Sequence, residues 1–220
     1  MRLAKICNSP HMSAMTIRPV TRERRGRPSH REDLRLELLE AAKTVIAREG
    51  YEALSMRKLA EEIGVSSAAP YHHFPDRQAL LLAVAVDGYR TMFADAFAGV
   101  VSSEPRERLR GLLMNFLHFS TANRRTFALM YESELVREGL APEIRAEQDL
   151  GFRQMHQLVQ SVCPDLSDHE RGIRMATMWC AVFGFALQSN RAMIRTPQPE
   201  PEPQALAAAV VTQAMRLLES

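Results

Sequence analysis

Apolar residues return at helical spacing along most of the chain, with charged positions between them. From Asp33 onward, Leu38, Ala41, Ala42 and Val45 trace one face of a helix, and Gly50 stands where such a helix stops. Tyr51 to Leu54 reads as a short connection. Ser55 is placed to cap a second helix whose stripe is Met56, Leu59, Ala60 and Ile63, and Gly64 ends it. Pro70 then stands among residues that otherwise look helical. Proline has no N–H, but the first N–H groups of a helix lack an intrahelical partner anyway, so a first turn can hold it. This predicts a third, short helix starting near Ser66 or Ser67, either of which can cap it, with Val65–Ser67 as a tight turn. Pro75 and Asp76 stop that helix and cap a fourth, running from Arg77 to Val100. Further helices are predicted over Pro105–Ala122, Arg124–Glu134, Pro142–Val162, Ser167–Ile194 and Gln204–Leu218. Between the last two, RTPQPEPEPQ (Arg195–Gln204) reads as an extended exposed linker. The final helix is apolar over much of its circumference and needs cover, from its own domain or a second copy.

Two short helices separated by three or four residues, with glycine at the exit of the first, fit a helix-turn-helix. An ordinary helical hairpin fits the same spacing. Composition narrows the class without deciding between them. A hydrophobic content of 46% over 220 residues suits a packed helical protein. No apolar run approaches the roughly 18–20 residues of a membrane span. The N-terminus lacks an apolar core of secretory type, and Cys7, Cys163 and Cys180 fit neither a disulfide framework nor a CxxC metal site, so a cytoplasmic location is expected. The net charge of +2 conceals an asymmetry. Residues 1–35 hold nine Lys/Arg against three Asp/Glu, densest in RERRGRPSHR (Arg22–Arg31), while the rest of the chain is slightly acidic. A basic arm of this kind seeks a polyanion, nucleic acid before membrane.

The segment SMRKLAEEIGVSSAAPYHHFPDRQALLLAV (Ser55–Val84), with the preceding AREGYEAL, resembles the DNA-binding domain of TetR/AcrR-type transcriptional regulators. Gly50, Tyr51, Ser55, Leu59, Ala60, Gly64, Val65, Ser66, Tyr71 and Phe74 fall at that family's spacing. NRRTFALMYES and MWCAVFGFALQ more weakly resemble a subgroup marked by Trp and a His-Gly pair on the penultimate helix. Trp179 and Gly184 fit, and Phe183 stands where the subgroup often has histidine. The pattern predicts an all-α chain of about nine helices with residues 1–31 as a flexible basic arm, and the resemblance implies a three-helix helix-turn-helix domain (32–80) and a larger helical domain (81–220) for dimerisation and effector binding.

In that geometry the second short helix enters the major groove. Ser67, Ala68, Ala69, Tyr71, His72 and His73 are its exposed candidates for DNA contact, with Phe74 turned inward. Ser55, Arg57, Lys58 and Arg77 lie where flanking phosphates pass. The helix carries no Arg, Asn or Gln, the side chains best suited to bidentate base reading, so direct readout is expected to be modest. That gives weight to Arg24, Arg25 and Arg27, which can follow a narrow minor groove. Adjacent residues on a helix diverge by about 100°, so His72 and His73 make a poor metal pair; no cofactor or metal is expected. There is no GxSxG, P-loop, HExxH or Rossmann glycine pattern, and no enzymatic activity is expected. In the larger domain His118, Tyr131, His156, Trp179 and Phe183 are the candidates for contacts to a ligand among Met and aromatic residues.

The expected function is a sequence-specific DNA-binding regulator, a repressor released by a small apolar or amphipathic effector. It would act as a homodimer on a palindromic or near-palindromic double-stranded DNA operator, without membrane association. An effector-independent architectural DNA-binding protein and a small helical enzyme are the alternatives. If the arm supplies much of the affinity, deleting residues 18–31 lowers operator affinity and flattens its salt dependence in a titration by fluorescence anisotropy. Unchanged affinity and slope would refute that role.

Overall fold

The computed structural model describes residues 30–98, 103–134, 142–196 and 201–219; the side chains of 30–32 and 95–98 lie outside the description. Among the described residues there are eight α-helices and two short 3-10 turns, and no strand. The order is α1 (His30–Glu49), a 3-10 turn (Tyr51–Ala53), α2 (Met56–Glu62), a second 3-10 turn (Ala69–His72), α3 (Arg77–Ala98), α4 (Pro105–Ala122), α5 (Arg124–Glu132), α6 (Pro142–Val162), α7 (Asp168–Asn190) and α8 (Pro203–Arg216). No helix among them is long and apolar enough to cross a membrane.

Local chemistry sets the boundaries. Leu38, Leu39, Ala42, Val45 and Ile46 give α1 its buried face, and Gly50, at φ 96°, accepts the positive dihedral that closes it. Ser55 caps α2 by accepting from the Lys58 N–H at 3.4 Å. The C-terminus of α2 is a Schellman closure: Gly64 N donates to Glu61 O at 3.2 Å and Val65 N to Ala60 O at 2.9 Å, with Gly64 at φ 73°. The Asp76 carboxylate accepts from the Ala79 N–H at 2.7 Å and caps α3. Pro105, Pro142 and Pro203 each open a helix, where the missing N–H costs nothing. Ser167 and Glu170 form a reciprocal capping box on α7.

The third helix differs from expectation in kind and in its cap. It is a single 3-10 turn, not an α-helix, and neither Ser66 nor Ser67 caps it through its side chain. The N-cap position is Ala68, and the turn starts from the Ser66 carbonyl, which accepts from Ala69 N at 2.9 Å. Pro70 is buried in its first residues, and Pro70 O accepts from both His73 N and Phe74 N. With proline in its second position and Phe74 to be buried just beyond it, the four-residue stretch closes with i to i+3 bonds from Ala69, Tyr71 and His73. At the other end, α7 stops at Asn190, four residues short of Ile194, and Ala192 takes a positive φ of 52° just beyond it. α3 is described to Ala98, so its predicted end at Val100 lies outside the described residues.

One continuous apolar core links all of these helices. α1, α2 and the second 3-10 turn, which stands where the recognition helix is expected and is called the recognition turn below, form a small head on the first half of α3 through Leu80, Leu81, Val84 and Ala85. The second half of α3, from Tyr89 and Met92, packs into the body made by α4–α8. Arg171, 4% exposed, ties the α6–α7 connection: it donates to the Leu166 carbonyl at 2.6 Å and the Asp168 carboxylate at 2.6 Å, and reaches the Cys163 and Pro164 carbonyls. α8 covers itself only partly. Val211, Ala214, Met215 and Leu218 are buried on α4 and α7, while much of its Ala/Val surface stays half-exposed.

A Cβ at Gly64 meets no atom within 4 Å, so its replacement isolates backbone strain. Gly64→Ala is expected to destabilise the fold by about 1–2 kcal/mol, read as a lower denaturation midpoint with an unchanged m-value.

Candidate nucleic-acid interface and effector cavity

The end of the head presents the recognition turn. Ser67, Ala68, Tyr71 and His72 are exposed, Tyr71 at 52%, whereas Ala69 and His73 are half-buried. In a 3-10 turn residues i and i+3 eclipse, so Ala68 and Tyr71 share one face. Pro70 and Phe74 anchor the opposite side, and the Arg35 guanidinium from α1 lies over the Phe74 ring at 5.0 Å. Arg35 was missed in the sequence, where nothing local links it to a ring thirty-nine positions away.

The basic candidates around this turn differ in how free they are. Arg57 is exposed. Lys58 is exposed and faces the Glu49 carboxylate at 3.5 Å. Glu49 also accepts from Arg48, and these two cations, Arg48 first, hold its carboxyl below the usual range. Arg77 is engaged within the head: its Nε donates to Leu54 O at 2.8 Å, and its Nη2 donates to Tyr51 O at 2.6 Å and to Glu52 O at 3.3 Å. Ser55 uses its hydroxyl as a helix cap. Arg24, Arg25 and Arg27 lie outside the described residues.

The body holds a cavity of about 690 Å³ between α3, α4, α5, α6 and α7. Its walls are mainly aromatic and Met side chains. Phe116 and Trp179 approach to 4.7 Å between centroids, and Tyr131 and Phe183 to 5.1 Å. One side is polar. The buried Tyr89 hydroxyl donates to Met130 O and accepts from Gln148 Nε2, both at 2.9 Å. Burial pushes the Tyr89 phenol up to about 12 and the neighbouring Tyr131 phenol well above its ordinary value, so both present neutral hydroxyls at physiological pH. The Tyr131 hydroxyl lies 3.9 Å from Met92 Sδ, a weak acceptor. His156 stacks against Phe152, with ring centroids 6.2 Å apart.

Tyr131, His156, Trp179 and Phe183 thus come together at one cavity. His118 does not. It is exposed and lines a separate depression of about 680 Å³, with Arg124, Phe185 and the start of α8. On α4 it lies two positions from Phe116, about 200° round the helix, so the two point away from one another. Tyr89, Phe93, Gln148 and Gly151 also line the cavity and were missed. Tyr89 and Phe93 stand at i, i+4 on α3, which is the available sequence signal. Gly151 interrupts a helix with no cap nearby. A Cβ there would lie 2.1 Å from Phe93 Cζ, so the glycine is what lets that ring approach α6.

Residues 38–84 match the family of bacterial regulatory proteins, tetR family. Among similar proteins, the HTH-type transcriptional activator FasR of Mycolicibacterium smegmatis is 32% identical over 133 residues, which is 59% of this chain and 58% of FasR. The HTH-type transcriptional repressor AcnR of Corynebacterium glutamicum is 40% identical over 80 residues, 36% of this chain and 40% of AcnR. The matched stretch therefore spans less than two thirds of either relative. A solved structure of a protein of unknown function from Rhodococcus sp. RHA1 is 29% identical with a TM-score of 0.65, covering 88% of this chain and 98% of that one. The TetR family regulator PfmR of Thermus thermophilus shares the fold at 20% identity, with a TM-score of 0.58 over 81% of this chain and 97% of its own. The head and the first turns of α3 thus contain the segment that this family's model matches.

Replacing Gly151 by Ala is expected to displace Phe93 and cost about 1–3 kcal/mol of stability. Calorimetry measures the loss, and emission from Trp179, the chain's single tryptophan, reports the altered cavity.

Proposed function

We propose that this chain is a cytoplasmic, homodimeric transcriptional repressor that occupies a palindromic or near-palindromic operator and is released by a small apolar or amphipathic effector. The carrying observation is the recognition turn: four exposed side chains, Ser67, Ala68, Tyr71 and His72, held at the tip of a tetR-family head. Tyr71 and His72 offer a hydroxyl and an imidazole to phosphate oxygens or base edges, and Ala68 offers apolar contact to a thymine methyl. Arg57 and Lys58 set register through phosphates. Arg24, Arg25 and Arg27 extend the footprint along the minor groove. Pairing of α7 and α8 with those of a second copy would cover the half-exposed Ala/Val surface of α8 and relate two heads by a two-fold axis. No enzymatic role is assigned to any residue.

The cavity supports an effector over a purely architectural role. Its aromatic walls suit an apolar body, and the Tyr131 hydroxyl and Gln148 suit one hydrogen-bonding group on it. Two connections carry a change at the cavity to the head. α3 runs from the cavity residues Tyr89 and Met92 back to the recognition turn. α5 holds Tyr131 near one end, while at the other Arg125 donates to Ala47 O of α1 at 3.0 Å. An effector that favours one arrangement of these helices over the other shifts the spacing of the heads.

Repression is favoured by the likeness to AcnR, named a repressor, against FasR, named an activator. Selection of bound DNA from a random pool is expected to yield a palindromic consensus, and the same selection with metabolite extract is expected to release it while quenching Trp179 emission. A pool that enriches no sequence would overturn the regulator reading. A consensus that extract never releases would overturn the effector.

A further inference from the structure

We infer that Arg77 is a positioning residue that locks the recognition turn in place, and that it does not serve as a phosphate contact. The inference rests on the regulator reading above. Position alone suggests a phosphate contact, because Arg77 opens α3 immediately after the recognition turn and is exposed. Its geometry assigns it otherwise. The guanidinium folds back across the head and donates to three main-chain carbonyls, Tyr51 O, Glu52 O and Leu54 O, at 2.6, 3.3 and 2.8 Å.

Those carbonyls belong to one short element. Tyr51–Ala53 is the 3-10 turn after α1, and Leu54 immediately precedes the Ser55 cap of α2. Leu54 N donates to Tyr51 O at 3.3 Å and closes this turn. The carbonyls leave acceptor capacity that the planar fork of an arginine fills from one side. α2 leads into the recognition turn and α3 leads out of it. Arg77 therefore fastens the start of the incoming helix to the start of the outgoing one, and the turn between them is held at both ends. The Asp76 cap and the burial of Phe74 fix the exit locally; Arg77 ties that exit to the segment leading into α2, 23 to 26 residues earlier in the chain. Lysine carries the same charge but a single ammonium on a flexible stem, and cannot reproduce the fork.

The distinction is measurable because phosphate contacts leave a salt signature and braces do not. For a dimer in which each Arg77 neutralises one phosphate, removing the charge lowers the slope of log K against log salt by roughly 1.8. Arg77→Lys and Arg77→Gln are compared with the wild-type chain on its selected operator and on unrelated DNA, with folding verified by circular dichroism. The expected result is a loss of operator affinity of about tenfold or more in both variants, with an unchanged salt slope and unchanged affinity for unrelated DNA. Lysine retaining wild-type affinity while glutamine flattens the slope would overturn the inference. A second measurement needs no variant: the Arg77 Nε–H resonance of the free wild-type protein is expected to exchange slowly with solvent and to keep its shift when operator is added. Fast exchange in the free protein, or a large shift on DNA, would overturn it equally. If no operator can be selected, the regulator reading fails, and the exchange rate in the free protein still decides whether the brace exists.

Discussion

Everything in this molecule hangs on α3 being one uninterrupted helix. Its first half buries Leu80, Leu81, Val84 and Ala85 against the head, and its second half buries Tyr89 and Met92 against the body. The apolar face is continuous, so the head cannot be reoriented without either moving the helix as a rod or opening core contacts on one side. Burial of this kind is worth about 25 cal/mol per Å² of apolar surface, which makes motion as a rod the cheaper course. Gly88 sharpens the constraint, since a Cβ there would come within 2.7 Å of Met130 Sδ on α5. α3 and α5 are thus in close contact beside the cavity, and displacement of one is felt by the other.

Chain punctuation was legible wherever chemistry leaves a residue few options. Proline at positions 105 and 142 predicts helix starts because an N–H is dispensable only there, and the structure begins α4 and α6 on those residues. Gly50 and Gly64 mark positive φ, and Ser55 and Asp76 mark caps, each on a local requirement. The form of the recognition turn was not legible. Whether four residues close as α or 3-10 depends on how Pro70 and Phe74 are buried by α1, α2 and α3, which no window of sequence contains.

The same boundary separates the site residues. Trp179 and Phe183 stand out through the resemblance on the penultimate helix, and Tyr131 and His156 as polar tips among the Met and aromatic residues of the larger domain. His118 has the right chemistry on the wrong face of α4. Arg77 illustrates the limit most sharply. Its neighbours in sequence mark it as a cation beside a DNA-reading turn, whereas the carbonyls that hold it come from another loop. Arginine's five donors can be satisfied in many ways, and only the folded chain selects among them.

The recognition turn is bracketed by bonds that its own exposed side chains do not make. On one side the Schellman closure at Gly64 and Val65 is main chain to main chain, and on the other the anchoring belongs to Pro70, Phe74 and Asp76. Ser67, Ala68, Tyr71 and His72 are therefore relieved of structural duty. They behave as a cassette: a lineage can rewrite these positions, and under the proposed role its choice of binding site with them, while the scaffold that presents them stays as stable as before. Under that role, divergence in target preference among duplicated copies is a matter of a few surface codons, with the fold acting as a fixed typeface for changing letters.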